Sequence, residues 1–116
     1  MRQECFVEDG RLRLQTTSVC QRVELKEIAY CYLVGEYVCI KFVSGKDFLV
    51  SNSLSFLDMI LPFDTFYRIS RSVIVNILHC EEMHLFYSNC SVRMADGTVF
   101  SVSRRRYRGL KNCLRK

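Results

Sequence analysis

The chain has 116 residues, which is one domain, long enough to bury a core without structural metals or a disulfide framework. A content of 49% hydrophobic and 25% charged residues excludes a disordered chain, no apolar stretch approaches the ~20 residues of a membrane helix, and residues 1–20 never build the apolar segment of a signal peptide. The net charge of +5 is unevenly placed: residues 1–100 hold 10 Lys/Arg against 12 Asp/Glu, whereas residues 101–116 hold seven bases and no acid, which points to a polyanionic partner.

Phe6–Glu8, Asp9-Gly10 and Arg11–Gln15 read as a β-hairpin, because Asp-Gly tolerates the positive φ angles of a tight turn. Thr16–Lys26 has no decisive periodicity. Ile28–Val34 and Tyr37–Val43 are aromatic and β-branched runs flanking Gly35-Glu36, and Phe48–Ser51 follows a turn at Ser44–Asp47. In SLSFLDMILPF, Leu54, Leu57, Ile60 and Leu61 fall on one face of a short helix that Ser53 can cap and Pro62 ends. The run FYRISRSVIVNI, Phe66–Ile77, returns to alternation. Leu85–Ser88 and Ser91–Ala95 flank a turn at Ser88–Cys90, and Asp96-Gly97 leads into Val99–Val102. A last helix starts near Ser103, with Tyr107, Leu110 and Leu114 on its docking face and Arg104, Arg105, Arg108, Lys111 and Arg115 off it. The order is strands, helix, strands, helix, without βαβ alternation. It predicts a mostly β protein of antiparallel sheets with a short mid-chain helix and a basic C-terminal helix, and excludes a Rossmann or flavodoxin-like sheet.

Seven cysteines, an odd number with no C-x-x-C pair, read as free buried thiols in a reducing cytoplasm. His79, Cys80 and His84 lack convincing further metal ligands, and neither metal nor cofactor is expected. There is no G-x-S-x-G, Gly-rich phosphate loop or H-E-x-x-H. The acids are scattered, Glu81-Glu82 reads as a solvated loop pair, and no enzyme is expected.

The arginines carry more. Within FYRISRSVIVNI the odd positions Tyr67, Ile69, Val73, Val75 and Ile77 are apolar, yet Arg71 shares their parity. A continuous strand would bury an unpaired guanidinium at a cost of several kcal/mol. Two arrangements avoid that: a buried ion pair with an acid such as Asp64, or a break in which the strand stops at Ser70, exposes Arg71 and resumes at Val73. Asn76 reads as an amide that satisfies backbone groups after the break. At the last helix, Arg104, Arg105 and Arg106 crowd the N-terminal turn, where the helix dipole disfavours cations. A phosphate would supply the missing negative charge there, and arginine can also make a bidentate contact to guanine in the major groove.

F-x-R-I-x-R-S-x-I-V-N at Phe66–Asn76, Asp96-Gly97, and V-S-R-R-x-Y at Val102–Tyr107 together resemble the LytTR DNA-binding domain. So do I-x-Y…G-x-Y-V at Ile28–Val38 and S-L-x-x-L at Ser53–Leu57, and the resemblance covers roughly residues 20–115. It implies elongated antiparallel sheets flanked by short helices, in an output domain that binds promoter DNA on direct repeats, bends it, and inserts loops into major grooves. By motif position the base-contacting loops map to Glu36-Tyr37, to Arg71, and to Arg104-Arg105. The family often has an acid where Tyr32 stands, a donor where Glu36 stands, a His where Ser70 stands, and an aromatic where Val73 stands. Glu36 would be repelled by phosphates, although a carboxylate can accept from cytosine N4. The chain is too short for a receiver domain, so it reads as a free-standing LytTR protein or an excised output domain.

The expected function is sequence-specific binding of double-stranded promoter DNA in bacterial transcriptional regulation, in the cytoplasm. Arg71, Arg105 and Tyr37 are the base-contact candidates. Ser70, Ser72, Ser103, Arg104, Arg106, Arg108 and Lys111 are the phosphate-contact candidates. The expected partners are a second copy on DNA and a sensor kinase or receiver protein, with no membrane. Two alternatives stay open: non-specific binding of RNA or an anionic surface through the basic segment, and a protein-interaction module on the same fold.

Overall fold

The alternating runs pair as antiparallel ladders that sort into three sheets. The computed structural model describes residues 4–8, 10–15, 20–86 and 89–114. Strands β1 (Glu4–Glu8), β2 (Arg11–Gln15) and β3 (Cys20–Glu24) form the first sheet, in that order. The central sheet has the order β6-β5-β4-β8-β7, with β4 at Ile28–Val34, β5 at Tyr37–Phe42, β6 at Asp47–Val50, β7 at Phe66–Arg68 and β8 at Val73–Asn76. The third sheet is β9 (Cys80–Phe86), β10 (Asn89–Met94) and β11 (Val99–Val102), ordered β11-β10-β9. Helix α1 spans Leu54–Ile60 and α2 spans Arg104–Leu114. The molecule measures 49 × 29 × 24 Å, so the mostly antiparallel, elongated architecture is as expected.

Two apolar clusters cover opposite faces of the central sheet. Leu12, Leu14 and Val23 of the first sheet join Ile40, Val50, Ile74 and the α1 residues Leu54 and Leu57 in one cluster. Tyr30, Val73 and Val75 join Val92, Met94, Val102 and Leu110 of α2 in the other. A bulge between Ile28 and Tyr30 shifts β4 against β5, and Ala29 and Tyr30 consequently serve the same cluster. Tyr30 ties the central sheet to the third: its hydroxyl donates to Asp96 Oδ2 at 2.8 Å, and its ring meets Phe100 edge-on.

The short α1 is held at both ends, as its sequence predicts. Ser53 Oγ accepts from the Phe56 N–H at 3.0 Å, and the Leu61 N–H closes the last turn on Leu57 O. Among the described residues, no helix is long and apolar enough to cross a membrane.

Several sequence expectations need correction. In the stretch whose periodicity leaves it unassigned, Cys20–Glu24 form strand β3, followed by a 3₁₀ turn at Leu25–Glu27. Glu81 and Glu82 lie within β9, not in a loop. Arg93 on the neighbouring strand pairs with both carboxylates, at 3.3 and 2.9 Å. The Arg93 hydrogen bond, assisted by His84, lowers the Glu82 pKa to about 2. Most consequentially, β8 is buried on both faces: Val73, Ile74, Val75 and Asn76 are all inaccessible, so its alternation divides two cores and not core from water.

Cys31, Cys39 and Cys90 are buried and Cys80 and Cys113 half-buried, none of these five is in a disulfide, and burial pushes the Cys80 pKa up to about 12. Among the described residues no three His, Cys, Asp or Glu side chains are grouped to hold a metal. Asp9, Ser88, Arg115, Lys116 and the side chains of Cys5 and Cys20 lie outside the described residues.

Candidate nucleic-acid interface

The ladder that would run through Phe66–Ile77 is interrupted. Strand β7 ends at Arg68, two residues earlier than expected, and β8 begins at Val73. Ile69 remains fully buried and its N–H bonds Val73 O at 3.0 Å, which closes the ends of the excursion. Residues 70–72 protrude from that closure. Arg71 is exposed and joins none of the ion pairs among the described residues, while Asp64 is exposed and accepts from its neighbour Thr65. The strand break, not the buried pair, resolves the parity conflict, because solvation removes the cost of burying the guanidinium. Ser70 Oγ accepts from the Ser72 N–H at 3.2 Å, a local turn that folds the loop back on itself.

Register brings the other two loops to the same end of the central sheet. Ser72 O accepts from the Leu33 N–H at 3.0 Å, which extends the β4–β8 ladder to the base of the β4–β5 hairpin. Val34 pairs with Tyr37 across a two-residue turn, Gly35-Glu36, in which Gly35 takes φ 59°. The hairpin tip, with exposed Glu36 and Tyr37, therefore projects about 7 Å beyond Leu33. On the other flank, the Ser103 N–H donates to Ile69 O at 3.1 Å, so α2 starts beside the root of the Arg71 loop. The Ser103 carbonyl accepts from Arg106 and Tyr107 N–H, which makes Ser103 the entry to the helix, as predicted.

Helix α2 separates its residues as its spacing predicts. Leu110 is fully buried, Tyr107 and Leu114 pack on the same cluster, and Arg104, Arg105, Arg108 and Lys111 are exposed. Lys111 lies about 10 Å along the axis from Arg104. Arg106 is placed differently from the other candidate phosphate ligands: it is half-buried, and its Nη1 donates to Arg68 O at 3.0 Å. Tyr67 completes the seam by donating its hydroxyl to Arg106 O at 3.0 Å, and burial raises its pKa, which keeps the donor proton in place.

Gly109 makes this seam possible. A β-carbon there would run into the Tyr67 hydroxyl and lie 2.8 Å from ring Cζ, so only glycine lets the helix approach β7 this closely. Gly109→Ala is expected to lower stability by about 1–3 kcal/mol, although alanine is the better helix former. Thermal unfolding checks this, and a raised Tm would show that Tyr67 yields freely.

Two residues have roles that the sequence reading missed or left general. Alternation alone makes Arg68 a polar position on a strand, yet its guanidinium wraps the Arg71 loop. Nε donates to Ser70 O at 3.2 Å, Nη2 to Arg71 O at 2.8 Å, and Nη1 to Ser55 Oγ of α1 at 3.1 Å. The only available signal is its place in F-x-R-I-x-R-S, since main-chain partners leave no trace in side-chain patterning. Asn76, fully buried, spends its amide on backbone as anticipated: Nδ2 donates to Ile28 O at 2.9 Å, and Oδ1 accepts from the Leu78 N–H at 2.9 Å.

The sequence profile of the LytTr DNA-binding domain matches residues 19–115, which takes in all three loops and the whole of α2. The chain belongs to the LytTR DNA-binding domain family. Two curated relatives, both called sensory transduction protein LytT, come from Bacillus cereus (32% identical over 110 residues, 94% of this chain) and Bacillus anthracis (34% over 94 residues, 80% of this chain). The chain spans 44% and 38% of their lengths. A solved LytTr DNA-binding domain of a methyl-accepting/DNA response regulator from Bacillus cereus shares the fold, with a TM-score of 0.77 at 22% identity, over 92% of this chain and 98% of that one. In this LytTR domain β1 and β2 precede the matched segment, yet Leu12 and Leu14 are part of its core.

Proposed function

We propose that this LytTR domain binds double-stranded promoter DNA in a sequence-specific manner and that residues 1–116 form a single DNA-reading domain of transcriptional control in the cytoplasm. The observation that carries the reading is the convergence of three loops at one end of the central sheet, with an exposed arginine at the middle one and two at the third. Arg71 and Arg105 offer the planar fork that reads guanine, and Tyr37 offers an amphipathic edge at the hairpin tip. Ser70, Ser72, Ser103, Arg104, Arg108 and Lys111 position the backbone. Arg106 contributes what its commitment to Arg68 O leaves available. Loop insertion of this kind bends DNA toward the protein, and two copies would occupy direct repeats. The relatives named sensory transduction proteins support a place downstream of a sensor kinase.

Selection from random duplexes at physiological salt tests the proposal. Enrichment of one sequence is the expected result, and equal recovery of all duplexes would refute it. The exposed stripe Arg104, Arg105, Arg108 and Lys111 favours one rival, a non-specific polyanion binder. For that rival, affinity would track salt and phosphate density with no base preference.

A further inference from the structure

Arg68 is an arginine whose donors are turned onto the protein's own loop. Two of its nitrogens hold the carbonyls of Ser70 and Arg71, and a third holds Ser55 on α1. Its own carbonyl accepts from Arg106 of α2, and the next carbonyl, of Ile69, accepts from the Ser103 N–H. The side chain of residue 68 therefore shapes the Arg71 loop, and the main chain of residues 68 and 69 holds the start of the third loop's helix. Without these bonds, the Leu33 N–H would still hold Ser72 O at the far side of the protrusion, but Ser70 and Arg71 would keep only short-range turns, which are weak restraints.

We propose that Arg68 is a positioning residue whose side chain fixes the Arg71 loop beside the Ser103–Arg105 helix start, which the main chain of residues 68 and 69 holds. This rests on the DNA-binding reading and deepens it. The guanidinium touches no base. It sets the direction in which Arg71 leaves the loop, so its removal spreads Arg71 over many orientations and weakens only contacts that need one of them. Arginine is required because a planar fork can hold two carbonyls and a hydroxyl at once. A lysine ammonium keeps the charge and loses that geometry.

The test uses the full chain and two duplexes, the selected sequence and a scrambled one of equal length. Arg68→Ala is expected to weaken the selected duplex roughly tenfold while leaving the scrambled one within about twofold. In an Arg71→Ala background, Arg68→Ala should have no further effect on the selected duplex. Arg68→Lys should not restore binding. Amide exchange at Ser72 should quicken in both Arg68 variants while Val75 stays protected, and this readout needs no DNA. Additive effects of the two alanines, equal loss on both duplexes, full rescue by lysine, or unchanged Ser72 exchange would each overturn the proposal. If Arg68→Ala does not fold, Arg68→Lys carries the same comparisons. If the unaltered chain selects no duplex, the DNA-binding reading fails while the Ser72 exchange still decides whether Arg68 fixes the loop.

Discussion

Asn76→Ala is expected to lower the unfolding free energy by about 2–4 kcal/mol, the largest effect of any single polar substitution among the described residues. The side chain is fully buried between two cores and serves three backbone partners: the carbonyls of Ile28 and Leu25 and the N–H of Leu78. Alanine leaves those groups without partners at the point where β8 turns into the third sheet. Urea denaturation should show a lower midpoint with an unchanged slope. Asn76→Asp sharpens the prediction. A carboxylate there would face two carbonyls in a dry site, so its folded-state pKa would rise above that of the unfolded chain. Its contribution would then be least unfavourable below the unfolded-state pKa and would worsen as pH rises. The variant should therefore gain stability relative to the original protein between pH 7 and pH 4, and an equal response of both proteins to pH would contradict this.

Arg71→Ala is expected to leave the fold intact and to relax base preference at one position of the selected site by roughly 1–3 kcal/mol. The fold survives because the side chain is exposed and outside every ion pair of the described residues. Arg104→Ala provides the contrast, with a loss spread evenly over all duplexes and a shallower dependence on salt, by a slope of about 1. Repeating the selection with each variant separates the two. If Arg71→Ala enriches the same sequence as the original chain, Arg71 does not read bases.

Local chemistry made much of this fold legible. Asp96-Gly97 and Gly35-Glu36 mark hairpins, and Ser53 and Pro62 bracket α1, because turns and caps depend on neighbours in the chain. The misplaced parity of Arg71 revealed the break without revealing its extent: Ile69 stays buried although β7 has already ended at Arg68. Strand β3 escaped notice because it borders the first sheet and, of residues 21–24, buries only Val23. The polar start of β9 looked like a loop, since its carboxylates find their partner, Arg93, on another strand. At the candidate site, Arg71, Arg104 and Arg105 could be picked out as charges in unfavourable places. Arg68 could not, because its partners are carbonyls that every residue possesses.

Strand β8 has a further consequence. All four of its residues are buried, and the Arg71 loop enters it directly through Val73. The three protruding residues contribute little to the interior, so replacements at 70–72 leave the scaffold almost indifferent. If the loops read DNA as proposed, target choice and foldedness fall to adjacent but separate positions. On that reading, a lineage carrying this chain would drift toward new promoters by changing its loop tips, while Arg68, Asn76 and Gly109 preserve the frame from which each new tip is presented.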